Sequence, residues 1–130
     1  MRLLLDTQIA LWWLAGDSRL KRATRERIAA ATCIVSVASV WEVAIKHRLG
    51  KLPVAPDAFA DAMRACGALI LPISEFHAAS YARLPAGHAD PFDLLLIAVV
   101  QTEKASLLTA DAKLLDYAAA LPPGTVEAAR

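Results

Sequence analysis

Hydrophobic positions in this chain fall into short continuous runs separated by longer stretches with helical spacing. Leu3-Leu4-Leu5 is an uninterrupted apolar stub that stops at Asp6, the pattern of a strand buried on both faces. Thr7 to Ala15 predicts a helix, and Ser18 to about Ala31 a second one with Leu20, Ala23 and Ile28 turned inward. Cys33-Ile34-Val35-Ser36 is the next β-rich run. Ser39 opens a helix in which Val40, Trp41, Ala44, Ile45 and Leu49 keep helical spacing until Gly50 stops it. Beyond the turn bracketed by Pro53 and Pro56, the pattern predicts a helix from Pro56 to Cys66, a strand from Ala68 to Pro72 and a helix from Glu75 to Leu84. Pro85 and Gly87 mark a loop. Asp90-Pro91 then begins a helix whose Leu94 to Val100 is apolar almost all round, which predicts an element buried on several faces. Ser106 to Thr109 reads as a strand, Asp111 to Ala118 as a helix, and Thr125 to Glu127 as a short last strand. The alternation predicts a single three-layer α/β/α domain over residues 1–130, built on a central, mostly parallel sheet.

Composition narrows the class. The chain has 130 residues, room for one ordinary domain, and 57% of them are hydrophobic, which excludes disorder and leaves apolar surface for another chain to cover. The longest uncharged stretch, Ile28 to Trp41, is 14 residues, short of the roughly 18 that a spanning helix needs. Neither a membrane span nor a secretory signal is expected. Cys33 and Cys66 stand alone, as in a reducing compartment, so the expected location is the cytoplasm. The net charge of +1 hides an asymmetry: residues 17–51 carry eight cations and three anions, the rest six cations and ten anions. A basic surface that grips a polyanion and an acidic one that gathers metal are both within reach. The basic run Arg19 to Arg27 also reads simply as the wet face of an amphipathic helix.

In an open parallel sheet the binding crevice lies beyond the carboxyl ends of the strands, and acids stand at those ends. Asp6 follows Leu3 to Leu5, Glu42 lies in the helix after Ser36, Asp111 follows Thr109 by two residues, and Asp90 and Asp93 open the apolar helix. Most of them have structural readings too. Ser39 and Glu42 match a capping box, Glu42 and Lys46 an i,i+4 ion pair, and Asp90 and Asp111 helix N-caps. Asp6 is the exception, because a carboxylate at the end of an apolar central strand demands a compensating partner. Two carboxylates about 5 Å apart repel by roughly 3 kcal/mol at an effective dielectric near 20, so four gathered together demand a divalent cation. Oxygen ligands without His or Cys select Mg²⁺, with Mn²⁺ able to substitute, and such an ion supports phosphodiester hydrolysis. Thr7, Ser36 and Thr109 are placed to orient carboxylates or water. His47, His77 and His88 lack zinc-ligand spacing, and no GxSxG or phosphate-binding loop is present. Trp12, Trp13 and Trp41 read as core or interface residues, with base stacking the alternative.

Four blocks in order, L-L-L-D-T-Q-I-A-L-W-W, S-V-A-S-V-W-E-V-A-I-K with G-K-L, H-A-D-P-F-D-L-L-L-I-A, and L-L-T-A-D, resemble PIN-domain ribonucleases of the VapC toxin type. The resemblance covers nearly the whole chain. It implies that Asp6, Glu42, Asp93 and Asp111 surround the metal, with Asp90 an auxiliary, and that the chain hydrolyses RNA with Mg²⁺. Asp6 and Asp93 are then the residues that hold the ion. It further implies a homodimer and a small antitoxin whose tail covers the groove. Two positions depart from the family pattern: Leu94 where Arg is common, and Gln8 where His is frequent. They bear on substrate choice and antitoxin grip. The alternatives are a haloacid dehalogenase-like phosphatase, which wants an Asp where Gln8 stands, and a non-catalytic module that binds RNA or a partner through Arg19 to Arg27.

Overall fold

A computed structural model describes residues 1–129. The elements are β1 (Arg2–Leu5), α1 (Thr7–Ala15), α2 (Arg22–Ala30), β2 (Thr32–Ser36), α3 (Val37–Arg48), α4 (Pro56–Ala65), β3 (Leu69–Leu71), α5 (Glu75–Ser80), α6 (Pro91–Glu103), β4 (Ser106–Thr109), α7 (Ala112–Tyr117) and β5 (Val126–Ala128). Single 3₁₀ turns follow α5 and α7 at Tyr81–Arg83 and Ala118–Ala120. The sheet order is β3-β2-β1-β4-β5, and every pairing is parallel.

Alternation along the strands splits the apolar side chains between two cores. Leu3, Leu5, Val35 and Leu108 meet Ile9 of α1, Ile28 of α2, Val43 of α3 and Phe59 and Met63 of α4. Leu4, Ile34 and Leu107 face the other way, onto Leu96, Ile97, Val99 and Val100 of α6 and Leu114 and Tyr117 of α7. The expected three layers are present, and the sheet is parallel throughout. α6 is the apolar element anticipated: Leu96 to Val100 are all fully buried. Among the described residues no helix is long and apolar enough to cross a membrane.

Several boundaries differ from the pattern. α2 begins at Arg22, four residues later than expected, because Asp17 accepts the Arg19 N–H at 2.9 Å and the Leu20 N–H reaches the Asp17 carbonyl, closing a turn before the helix. Thr24, not Ala23, shares its buried face with Ile28. α3 starts at Val37 with Ser36 as its cap, whose hydroxyl accepts the Ala38 N–H at 3.0 Å. Ser39 therefore lies inside the first turn, where it is fully buried and accepts a hydrogen bond from Thr7 Oγ1 at 2.8 Å, so the Ser39–Glu42 capping box is not formed. α5 closes at Ser80, short of Leu84, and the last strand runs one residue later than predicted.

The basic run is largely engaged within the fold. Arg19 pairs with Asp17, Arg22 with Glu26, and Arg27 with Glu127. Arg25 donates to the carbonyls of Leu20 and Asp17, fastening the exit of α1 to α2. Arg19 also lies over the Trp12 ring, 4.8 Å from its centroid.

Candidate active site

The chain leaves β1 toward one side of the sheet and β4 lies on the other, so the order reverses between these strands. Their carboxyl ends flank the point where open α/β sheets bind ligands. Register places Leu5 beside Leu108, and the ladder extends one step further because the Asp6 N–H donates to the Leu108 carbonyl at 3.1 Å. Asp6 therefore stands next to Thr109, whose hydroxyl donates to Asp6 Oδ2 at 2.6 Å. Asp6 is also the N-cap of α1, accepting the Gln8 N–H at 3.2 Å. Burial raises its carboxyl above the ordinary 3.8. The two hydrogen bonds oppose that rise, and the nearby charges of Glu42 and Asp111 add to it.

Asp93 sits in the first turn of α6, behind the N-cap Asp90 and Pro91. Its Oδ2 lies 2.9 Å from His88 Nε2. Burial pushes its pKa up to about 6, His88 lowers it, and Asp90 and Asp6 raise it further. Asp111 caps α7, accepting the Lys113 N–H at 2.8 Å, while its own N–H donates to Thr109 Oγ1 at 3.1 Å. Glu42 lies a turn into α3 and pairs with Lys46 at 3.4 Å, as the i,i+4 spacing predicts.

Asp6, Glu42, Asp90, Asp93 and Asp111 line one cavity of about 320 Å³, together with Gln8, Trp12 and Lys46. A larger groove of about 1010 Å³ adjoins it, sharing Asp90, Asp93 and Asp111 and adding His88, Lys113 and Tyr117. Among the described residues, Lys46 is the sole Lys or Arg in the wall of the smaller cavity. The acids predicted to gather thus share one space.

They do not collapse onto one point. Among the described residues no three His, Cys, Asp or Glu side chains are placed to hold an ion together. Each carboxylate has a protein partner: Thr109 for Asp6, Lys46 for Glu42, His88 for Asp93, and the start of α7 for Asp111. Asp6 is held by two hydrogen bonds, from the Gln8 N–H and the Thr109 hydroxyl. The donor chemistry nonetheless fits a hard divalent cation, since the cavity offers carboxylate oxygens from five residues and an excess of negative charge.

Residues 3–120 match the PIN domain. The chain belongs to the PIN domain family. Solved structures with this fold include VapBC2 from Rickettsia felis bound to a DNA fragment from their promoter, 18% identical, covering 98% of each chain with a TM-score of 0.66. DNA-bound VapBC from Salmonella typhimurium is 14% identical over 100% of this chain and 99% of that one, TM-score 0.67. A toxin–antitoxin complex from Klebsiella pneumoniae is 18% identical over 98% of both chains, TM-score 0.62. No curated protein sequence matches closely enough to count as a relative.

On this PIN scaffold, the hydroxyls flagged in the sequence divide. Thr109 reaches a carboxylate, whereas Ser36 caps α3 and Thr7 bonds Ser39. His88 has no zinc-ligand spacing, yet the fold brings it to Asp93. Its position five residues before Asp93, across a capped helix start, was the available signal. His77 is structural: its Nδ1 accepts the Ser74 N–H in a capping box and its Nε2 meets Glu103 at 2.8 Å. Trp12 and Trp13 are half-buried, but Trp41 is 61% exposed.

Proposed function

We propose that this PIN domain is a divalent-metal-dependent endoribonuclease and the toxin of a toxin–antitoxin pair. The observation that carries the reading is the sharing of one cavity by acids from four separate segments of chain, at the switch point of a parallel sheet. Asp6 and Asp93 hold the ion, while Asp111 and Glu42 complete its surroundings and orient the attacking water. Divalent-metal dependence is general among PIN nucleases; Mg²⁺ is the ion proposed here, with Mn²⁺ able to substitute. When bound, it lowers the pKa of water and offsets charge on the phosphodiester. The protein's part is to hold the carboxylates in place. Thr109 fixes Asp6, and the helix starts at Asp90 and Asp111 anchor the opposite wall.

The antitoxin partner is supported by the structural neighbours, which are themselves toxin–antitoxin complexes. A homodimer is supported by exposed Val37, Trp41, Ile45 and Leu49 along α3, beside an apolar groove of about 590 Å³ lined by Tyr81, Phe92 and Leu95. We place the protein in the cytoplasm, with its RNA. The phosphatase alternative fares worse because Gln8, exposed in the cavity wall, cannot protonate a leaving group. RNA binding through the basic run alone is disfavoured by the ion pairs that already occupy Arg19, Arg22 and Arg27.

The test is RNA cleavage by the purified chain in Mg²⁺, with EDTA and Asp6→Ala as controls. Cleavage that both controls abolish supports the assignment. Turnover of a small phosphate ester without RNA cleavage, or cleavage indifferent to both controls, overturns it.

A further inference from the structure

His88 is held by its own surroundings more firmly than a surface loop requires. Its side chain is 6% exposed, and its ring lies against Tyr117 with centroids 5.6 Å apart and planes tilted by 35°. The Tyr117 hydroxyl donates to the Pro85 carbonyl. Gly87, at φ +123°, lets the backbone pass over the same ring: a Cβ there would stand 3.6 Å from Tyr117 Cδ1. The ring contact and the hydroxyl's hydrogen bond thus fasten the loop before α6 to α7, and the side chain so fixed points its Nε2 at Asp93 Oδ2.

We propose that His88 is a positioning residue for Asp93, holding Oδ2 so that the carboxylate keeps a fixed orientation in the cavity where a hard divalent cation would bind. The inference rests on the metal-dependent reading above. Asp93 is ringed by like charge, with Asp90 and Asp6 the acids nearest it in effect, and no Lys or Arg pairs with it among the described residues. A hydrogen-bond partner restrains the orientation of a carboxylate so placed. His88 Nε2 lies within hydrogen-bond distance of Oδ2, and a donor there fixes how the carboxylate faces the cavity. Groups that hydrogen-bond a metal ligand typically govern about 10- to 100-fold in metal affinity.

The experiment is calorimetric titration of Mn²⁺ into the full chain at fixed pH, with thermal unfolding recorded for every variant. His88→Phe keeps an aromatic ring on Tyr117 and removes the donor. His88→Gln keeps an N–H close to the position of Nε2. We expect His88→Phe to retain its melting temperature within a few degrees yet bind Mn²⁺ about 10- to 100-fold more weakly, with His88→Gln within about threefold of the parent. Should His88→Phe not fold, His88→Asn, too short to reach Oδ2, takes its place with the same expectation. Parent-like Mn²⁺ affinity in the donor-less variant overturns the inference, as does a folded His88→Gln that binds as weakly as His88→Phe. In either case Mn²⁺ binding by the parent, lost in Asp93→Asn, leaves the metal-dependent reading standing. A parent that binds no Mn²⁺ overturns both.

Discussion

The Thr109 hydroxyl donates its proton to Asp6 Oδ2 at 2.6 Å, across the seam between β4 and β1. Because Thr109 is fully buried and also accepts the Asp111 N–H, one side chain couples two acids that lie 105 residues apart in sequence. Thr109→Val keeps the shape and deletes both bonds, leaving a largely buried carboxylate without its strongest donor. We expect a loss of about 1–3 kcal/mol in urea unfolding and at least about a tenfold fall in RNA cleavage, with Thr109→Ser recovering most of both. Unchanged cleavage in Thr109→Val would show that Asp6 needs no such support.

Asp93 gives a pH dependence of definite sign. Its carboxyl titrates near 6 in the folded chain against an ordinary 3.8, so between those values the folded state binds more protons than the unfolded one. In EDTA its contribution to stability is therefore fullest below about pH 4 and declines as pH rises to about 6, by at most about 3 kcal/mol before solvent screening reduces it. Asp93→Asn removes the titration. The stability of this variant relative to the parent should rise across that interval and level off above it, and parallel curves would contradict the burial argument.

Metal should act on the folded state alone. At a Mn²⁺ concentration 100 times its dissociation constant, the parent gains about 2.7 kcal/mol, roughly 10 °C in melting temperature, and EDTA reverses it. Asp6→Asn should lose most of this shift together with at least about 100-fold in cleavage rate. An equal shift in parent and variant would remove Asp6 from the ion's surroundings.

The exposed α3 face predicts self-association. Trp41→Lys places a charge in the middle of Val37, Ile45 and Leu49 and should weaken a dimer at least about tenfold, measured by light scattering over a dilution series. Its melting temperature at low concentration should stay near that of the parent, since Trp41 contributes little to either core.

Leu96→Ala tests the scaffold independently of the cavity. Leu96 is fully buried in α6 against the second core, and its truncation should cost about 2–5 kcal/mol by urea unfolding.

Much of this arrangement is legible in the chain because both signals are local. Continuous apolar triplets such as Leu3 to Leu5 announce strands covered on both sides, and Asp90-Pro91 announces a helix start whatever follows it. The acids stand out for a similar reason: Asp6 directly follows an apolar run, Asp111 lies two residues beyond one, Asp90 and Asp93 open one, and Glu42 lies in the helix after one. What escaped depends on side chains meeting across the fold. Ser39 has the spacing of a cap to Glu42, but Ser36, the last paired residue of β2, takes the Ala38 N–H and begins the helix earlier. His88 opens the H-A-D-P-F-D block, but its contact with Asp93 is not legible there, since Tyr117, 29 residues later, holds its ring. The basic run promised a polyanion surface, yet Asp17, Glu26 and Glu127 engage Arg19, Arg22 and Arg27 within the molecule.

The placement of β1 beside β4 also sets a timetable. The strand that seats Asp6, and the threonine that secures it, lie about a hundred residues further along the chain. Pairings so distant along the chain form late in folding. Until that contact forms, Asp6 has neither its neighbouring strand nor the hydroxyl that holds it, and the acids of the cavity stay scattered along an open chain.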